Sequence, residues 1–156
     1  MTDSTFRAQL KTVLDSVSTV KNTNNYVRYF NELDDYKKVF KTGDDKIHCW
    51  MIGLTAVNIR RPSIIPGGLS AEVFEDYEYM VTGYYGLDDS ATSETVFALI
   101  WEAVKDALNS DATLHTNSAT YWDTPPCQVQ VEHVVFGGVL CHRATITQVI
   151  TKKVNT

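Results

Sequence analysis

The chain has 156 residues, of which 44% are hydrophobic and 21% charged, with a formal net charge of −5. This size and composition predict one globular domain with a single hydrophobic core. The negative charge argues against non-specific binding to duplex DNA, which needs clustered Lys and Arg. No apolar run approaches the ~20 residues that span a bilayer, and the first residues show no signal-peptide pattern. Three widely spaced cysteines indicate reduced thiols in a cytoplasmic setting.

The first part of the chain predicts an amphipathic helix followed by a strand and a short helix. Apolar residues of the first helix recur at helical spacing: Phe6, Leu10, Val13, Leu14 and Val17. Asp3 or Ser4 is the expected cap, and an end near Lys21 is expected because the asparagine-rich run beyond it is a poor helix former. Residues 26–30 are aromatic and β-branched and predict a strand. Residues 31–41 predict a brief helix that ends before Gly43.

Residues 46–60 form the strongest predicted strand, because both of its faces are apolar. One face carries Ile47, Cys49, Met51 and Val57, and the other carries Trp50, Ile52 and Leu54. A strand of this kind is covered on both sides. The helices provide one cover, and since only two long helices are predicted, another subunit is a candidate for the second.

Residues 60–70 are predicted to be a loop or projecting arm between two long strands. Two prolines cannot donate to a strand ladder, and a Gly-Gly pair permits a sharp reversal. The arm combines positive charge with aliphatic side chains: Arg60, Arg61, Ile64, Ile65 and Leu69. Two interpretations stay open at this point. The loop either folds back on its own core or projects and docks on a partner through these residues.

Residues 71–85 predict the second long strand, with an aromatic face and an acidic face. The aromatic face carries Val73, Tyr77, Tyr79, Val81 and Tyr85. The other face carries Phe74 and Met80 together with three carboxylates, those of Glu72, Asp76 and Glu78. The acidic face is either a solvated strand surface or the lining of a passage that repels polyanions. It is also a candidate to pair with the arm arginines of a neighbouring subunit.

Residues 90–109 predict the helix that covers the sheet. Its apolar stripe consists of Phe97, Ile100, Trp101, Val104 and Leu108. Asp88, Asp89 and Ser90 are expected to cap its first turn through their side-chain oxygens. Residues 111–126 then form a long loop that carries Tyr121 and Trp122.

The last segment predicts a β-hairpin over residues 127–153, with Gly137-Gly138 as its two-residue turn. This turn sets Phe136 opposite Val139, His133 opposite His142 and Glu132 opposite Arg143. The register sorts the residues onto two faces, and a slip by one residue would destroy that sorting. One face is mainly apolar and includes Val129, Val131, Val135, Ala144 and Ile146.

No catalytic constellation is visible in the sequence. His133 and His142, with Cys49 or Cys127 nearby, are the first candidates for a metal site, but no third ligand has diagnostic spacing. The acidic pairs of the chain are typical of turns and caps. No nucleophile elbow, P-loop or dinucleotide-binding motif occurs. The sequence therefore predicts no catalytic residue, no metal and no cofactor.

The order of elements and several phrases on them resemble one family. The phrases are residues 26–30 (YVRYF), 47–53 (IHCWMIG), 77–85 (YEYMVTGYY) and 140–147 (LCHRATIT). The chain resembles the tail terminator, or tail completion, proteins of long-tailed bacteriophages. The resemblance implies an α+β subunit of a hexameric ring that caps the tail tube, stops its polymerisation and joins it to the head.

Further expectations follow from the resemblance. The partners it implies are the chain itself as a homohexamer, the tail tube protein and a neck or head-completion protein. DNA passes through such a ring without sequence-specific binding, and no membrane is involved. The implied location is the virion tail or neck, with assembly in the host cytoplasm. The resemblance implies no catalysis and no cofactor.

The sequence thus predicts a single α+β domain: a mostly antiparallel sheet with two main helices packed on one face and a projecting β-hairpin arm. Three alternatives to the tail terminator function remain. They are another head–tail connector component, a small metal-dependent enzyme that uses His133 and His142, and a ligand-binding domain that uses the face of Tyr77, Tyr79 and Tyr85.

Overall fold

A computed structural model describes residues 2–28, 33–43, 46–60, 73–88, 91–110 and 127–154. The helices are α1 (Asp3–Ser16), α2 (Leu33–Phe40) and α3 (Ser93–Ser110). The strands are β1 (Thr23–Asn24), β2 (His48–Arg60), β3 (Val73–Gly86), β4 (Gln128–Phe136) and β5 (Val139–Val154). They form one sheet in the order β1-β2-β3-β5-β4, in which only the β1–β2 pair is parallel. The predicted α+β fold is confirmed.

The long helices α1 and α3 pack on the same face of the sheet, here called the helix face. Their apolar stripes meet the strands in one core, whose fully buried strand residues include Trp50, Tyr79, Val81 and Ile146. The buried residues of α1 are Phe6, Leu10, Val13 and Leu14, and those of α3 are Ser93, Phe97, Ile100, Val104 and Leu108. Both predicted stripes are therefore confirmed, except that Trp101 is only half-buried and Val17 lies just beyond the end of α1.

The opposite side of the sheet, the outer face, carries a second and smaller cluster. Phe40 of α2 packs there with Ile47, Cys49, Met51 and Cys141. The two apolar faces predicted for β2 are thus confirmed. The short helix α2 supplies part of the second cover that the sequence reasoning assigned to another subunit.

Val57 lies on a different face from the predicted one. The ladder between β2 and β3 shifts register between Leu54 and Ala56, which is a β-bulge at Thr55. The extra residue reverses the alternation beyond it, so Val57 lies opposite Tyr77 on the helix face. The prediction for Val57 was wrong because nothing in the sequence marks the bulge.

The segment after α1 also differs from the prediction. α1 ends at Ser16, because Val17 is already extended and turns the chain so that Val20 is buried in the core. Residues 26–28 of the predicted strand are not in a strand, and β1 lies earlier, at Thr23–Asn24. The backbone carbonyl of Asn22, just before β1, accepts a hydrogen bond from the Trp50 amide. Tyr26 and Val27 are exposed, so their apolar character does not mark a buried strand. Residues 29 and 30 lie outside the described residues.

The N-cap of α1 differs from expectation, and the predicted cap of α3 is described only in part. Thr2 is the N-cap of α1 and makes no side-chain cap bond, whereas Asp3 lies in the first turn and pairs with Arg7. α3 begins at Ser93, whose amide donates to the backbone carbonyl of Asp88 rather than to its carboxylate. Asp89 and Ser90 lie outside the described residues. Within the described part of the chain, no helix is long and apolar enough to cross a membrane.

Candidate functional site

At the end of the sheet next to the predicted arm, the helices cover β3 and β5 in part but leave the end of β2 exposed. This distal end consists of residues 56–60 of β2, 73–78 of β3 and 149–154 of β5, paired in that order. Val57 and Ile59 lie on its helix face and are 45% and 66% exposed, respectively. Aliphatic side chains on a strand end that the helices do not cover indicate a surface that contacts another molecule.

An ion pair braces the outer face of the distal end. The Arg60 guanidinium binds the Asp76 carboxylate, and its NH2 group lies 3.0 Å from Asp76 Oδ1. The Thr151 hydroxyl donates to the same carboxylate at 2.7 Å, so Asp76 joins β2, β3 and β5. The guanidinium also lies over the Phe74 ring, 5.9 Å from its centroid. Asp76, predicted as part of an acidic face, therefore holds the arginine of its own chain.

A second polar group braces the helix face of the same end. Lys152 of β5 lies 3.3 Å from the carboxylate of Glu75 on β3. The Tyr77 hydroxyl donates to that carboxylate at 3.0 Å, and burial, with the hydrogen bond to Glu75, raises the pKa of Tyr77. Sequence reasoning missed this group, because Glu75 and Lys152 are distant in sequence and only the β3–β5 register brings them together.

The remaining predicted interface residues have different positions. Glu78 lies beside the bulge, where the Thr55 hydroxyl is 3.0 Å from its carboxylate. Arg61, Ile64, Ile65, Leu69 and Glu72 lie outside the described residues. The structure therefore brings Arg60, Asp76 and Glu78 to one end of the sheet.

The two histidines of the hairpin lie opposite each other, as predicted, with ring centroids 4.9 Å apart. His142 is buried, and its Nε2 lies 2.9 Å from Ser93 Oγ at the start of α3. Ser93 Oγ also accepts the Asp88 amide at 2.8 Å. This network ties the hairpin to the first turn of α3. Among the residues that the structure describes, no group of three His, Cys, Asp or Glu side chains can hold a metal ion.

All three cysteines are free, as the sequence reasoning expected. Cys49 and Cys141 are buried in the outer-face cluster. Burial raises the pKa of the Cys49 thiol far above its ordinary value and that of Cys141 to about 11. Burial also raises the pKa of the half-buried Cys127. Because thiolates are the reactive form, these environments make poor nucleophiles.

Helices α1 and α3 of the same chain cover the aromatic face of β3. Tyr79 is fully buried and donates to Asp3 Oδ1 at 2.8 Å, which ties β3 to the first turn of α1. Tyr77 packs edge-on against Phe6, and Tyr85 stacks on Phe97. The tyrosines predicted as a ligand-binding face therefore form part of the core.

The outer face keeps one open groove of about 510 Å³ beside the cluster under α2. Its lining includes Met80 and Tyr84 of β3 and the Glu132–Arg143 pair that crosses from β4 to β5. The hydrogen bond with Glu132 raises the pKa of Arg143. The groove is open across much of its area, and thioether, aromatic and ion-paired side chains share it.

These features define a class of protein: an α+β domain with exposed aliphatic side chains, Val57 and Ile59 among them, at a braced strand end. Neither protein-family models nor curated proteins gave a match to the chain.

Proposed function

We propose that this chain is a structural assembly protein similar to phage tail terminators. In this proposal identical subunits form a ring that caps the tail tube, stops its polymerisation and joins it to the head or neck. The subunit acts in the virion tail and is assembled in the host cytoplasm. Its partners are further copies of itself, the tail tube protein and a neck protein.

The observation that carries this proposal is the distal end. Ion pairs on both faces hold its three strands together, while the side chains of Val57 and Ile59 remain exposed to solvent. A rigid support with exposed aliphatic side chains is the arrangement that protein–protein contacts use, because little conformational freedom is lost on binding. The α+β fold is the fold class that the resemblance implied.

The negative net charge suits a ring through which DNA passes. Carboxylates repel phosphates, so an acidic lining lets a polyanion slide rather than bind. Another head–tail connector component is the second candidate, because it shares the ring, the partners and the charge requirement.

The test combines the mass of the protein in solution with an assay of tube growth. Sedimentation and negative-stain microscopy should show closed rings of a fixed number of subunits. When the protein is added to a polymerising tail tube protein from the same virus, tubes should stop growing and carry a ring at one end. Rings that bind a neck protein but leave tube growth unchanged would favour the connector. A monomer that does neither would refute the ring and the capping function together.

A further inference from the structure

Each subunit presents two exposed sheet edges. β4 is the last strand of the sheet, and its residues are exposed at most positions. At the other side β1 pairs only with Trp50 and Met51, and within the described residues no strand pairs with β2 beyond that point. Residues 55–60 of β2 are mostly exposed. An exposed strand edge is a template for pairing with another chain.

The backbone geometry of β4 shows which of its groups point outward. The pair that flanks a two-residue turn, Phe136 and Val139, exchanges both backbone hydrogen bonds, and bonding then alternates along the strand. Val131, His133 and Val135 therefore direct their amides and carbonyls to the free edge. The hydrogen bond from the Leu87 amide to the Leu140 carbonyl supports this alternation. Leu140 is the partner of Val135 and bonds to the side away from β4, so Val135 does not bond to β5.

The same alternation applies to β2. The Trp50 amide bonds outward to Asn22, and the Ile52 carbonyl accepts Arg7, so these residues point away from β3. Beyond the bulge, Val57 pairs with Tyr77, which is two residues from Tyr79, the partner of Leu54 before the bulge. Val57 and Ile59 therefore direct their amides and carbonyls away from β3, as Trp50 and Ile52 do. On both edges the outward-pointing residues carry their side chains on the helix face.

Four of these outward-pointing residues are exposed aliphatics. Val131 and Val135 on β4 are 48% and 71% exposed, and Val57 and Ile59 are exposed on β2. On the outer faces of the same edges, Glu132 is paired with Arg143 and Arg60 with Asp76 of its own chain, so neither edge brings an unpaired charge to the contact through these residues. Joined edges would place aliphatic against aliphatic on the helix face.

We infer that β4 of one subunit pairs antiparallel with residues 55–60 of β2 in the next subunit, so that the sheets of neighbouring copies join edge to edge. Because β2 and β4 run in opposite directions in the sheet, a neighbour placed with its helices on the same side meets β4 in the antiparallel sense. The neighbour is displaced along the strands, because the ladders place Val131 level with Trp50 and not with Val57. This contact is head-to-tail and closes into a ring if the rotation allows. The inference rests on the proposed ring and specifies its interface.

A dimer through two β4 strands is the competing arrangement. It would leave Val57 and Ile59 of both copies exposed. The head-to-tail contact uses both edges of every subunit and removes all four aliphatic side chains from water. For these two reasons the structure favours the head-to-tail contact.

The decisive variant is Val131→Pro, with Val131→Thr as its matched control. Proline removes an amide that points to the free edge, and no bond to β5 is lost because Val131 does not bond inward. Threonine keeps the amide and the branched shape. Because threonine replaces a buried methyl group by a hydroxyl, Val131→Thr should weaken assembly slightly. Val131→Pro should need about a tenfold or greater rise in concentration for half-assembly relative to Val131→Thr, with an unchanged circular dichroism spectrum.

Hydrogen exchange on the wild-type protein provides an independent measurement that does not depend on how the proline variant folds. The amides of Val131, His133, Val57 and Ile59 should exchange slowly in the assembled protein and rapidly in the dilute monomer. Rings that persist in Val131→Pro, or rings whose edge amides exchange rapidly, would overturn the edge contact and leave the ring standing. Protection of the β4 amides alone, in a dimer, would overturn the head-to-tail arrangement. A wild-type protein that stays monomeric at every concentration would refute the ring itself and, with it, this interface.

Discussion

Gly83 on β3 is a position where a single methyl group should destabilise the fold. A Cβ built on Gly83 would lie 2.5, 2.6 and 2.7 Å from Cζ2, Cε2 and Cη2 of Trp50. The indole is fully buried between the sheet and the helices and cannot move aside without displacing its neighbours. Overpacking of this kind costs ~1–3 kcal/mol, and three short contacts with a rigid ring place Gly83→Ala near the upper value.

Urea and thermal unfolding would measure this cost. A loss of ~3 kcal/mol corresponds to a fall in Tm of roughly 6–12 °C for a domain of this size. Gly43→Ala is the matched control, because no heavy atom lies within 4 Å of its added Cβ. It should leave stability unchanged or raise it by up to ~1 kcal/mol.

A double-mutant cycle identifies the indole as the cause. In a Trp50→Phe background, which shortens the ring, Gly83→Ala should cost at least ~1 kcal/mol less than it does in the wild type. Equal costs in both backgrounds, or a Gly83→Ala protein that unfolds within ~0.5 kcal/mol of the wild type, would show that the reasoning about this contact is wrong.

Three other predictions test the core, the thiols and the arm. Ile146→Ala, at a fully buried position, should cost ~2–5 kcal/mol, whereas Glu132→Gln should cost only ~0.2–1 kcal/mol because its ion pair is about one-third exposed; urea melts that rank them in the opposite order would contradict the packing described here. Cys49 and Cys141 are buried, and their raised pKa values keep both thiols protonated between pH 7 and 9. A thiol reagent should therefore modify Cys127 before Cys49 and Cys141, and mass spectrometry of the labelled peptides would show this order. Ile64→Asp combined with Ile65→Asp should leave the circular dichroism spectrum intact and weaken the ring or its docking to the tail tube, because unpaired carboxylates are costly to bury; a normal ring that still terminates tubes would refute a role for the arm.

The hairpin shows how much a sequence can predict when the signals are local. Gly137 and Gly138 both adopt positive φ angles, 56° and 78°, which this turn requires and glycine accepts easily. With the turn placed, the alternation of the flanking residues left one register, and the structure has that register throughout β4 and β5. The two faces of the first half of β2 were predictable for the same reason.

Features that depend on distant parts of the chain were not predictable. The Glu75–Lys152 pair requires the register between β3 and β5, which no turn determines. The bulged residue is Thr55 and not a glycine, and it follows a regular alternation of side chains along β2. The sequence therefore does not indicate the change of face that places Val57 on the helix face. The sequence therefore showed that Arg60, Asp76 and Glu78 are candidate interface residues, but it did not show which of the charged side chains pair with each other.

The order of the last two strands in the sheet is the reverse of their order in the chain, which makes β4 an edge strand. β4 precedes β5 in the chain, and a hairpin by itself allows either strand to join the rest of the sheet. β5 joins it because residues on both of its faces are buried, including Cys141 and Thr151 on the outer face and Ile146 on the helix face. β4 carries Gln128, Gln130 and Glu132 on its outer face, and an internal position would leave these polar groups in the core. The hairpin therefore attaches through β5, and this choice makes β4 the exposed edge that the proposed ring contact requires.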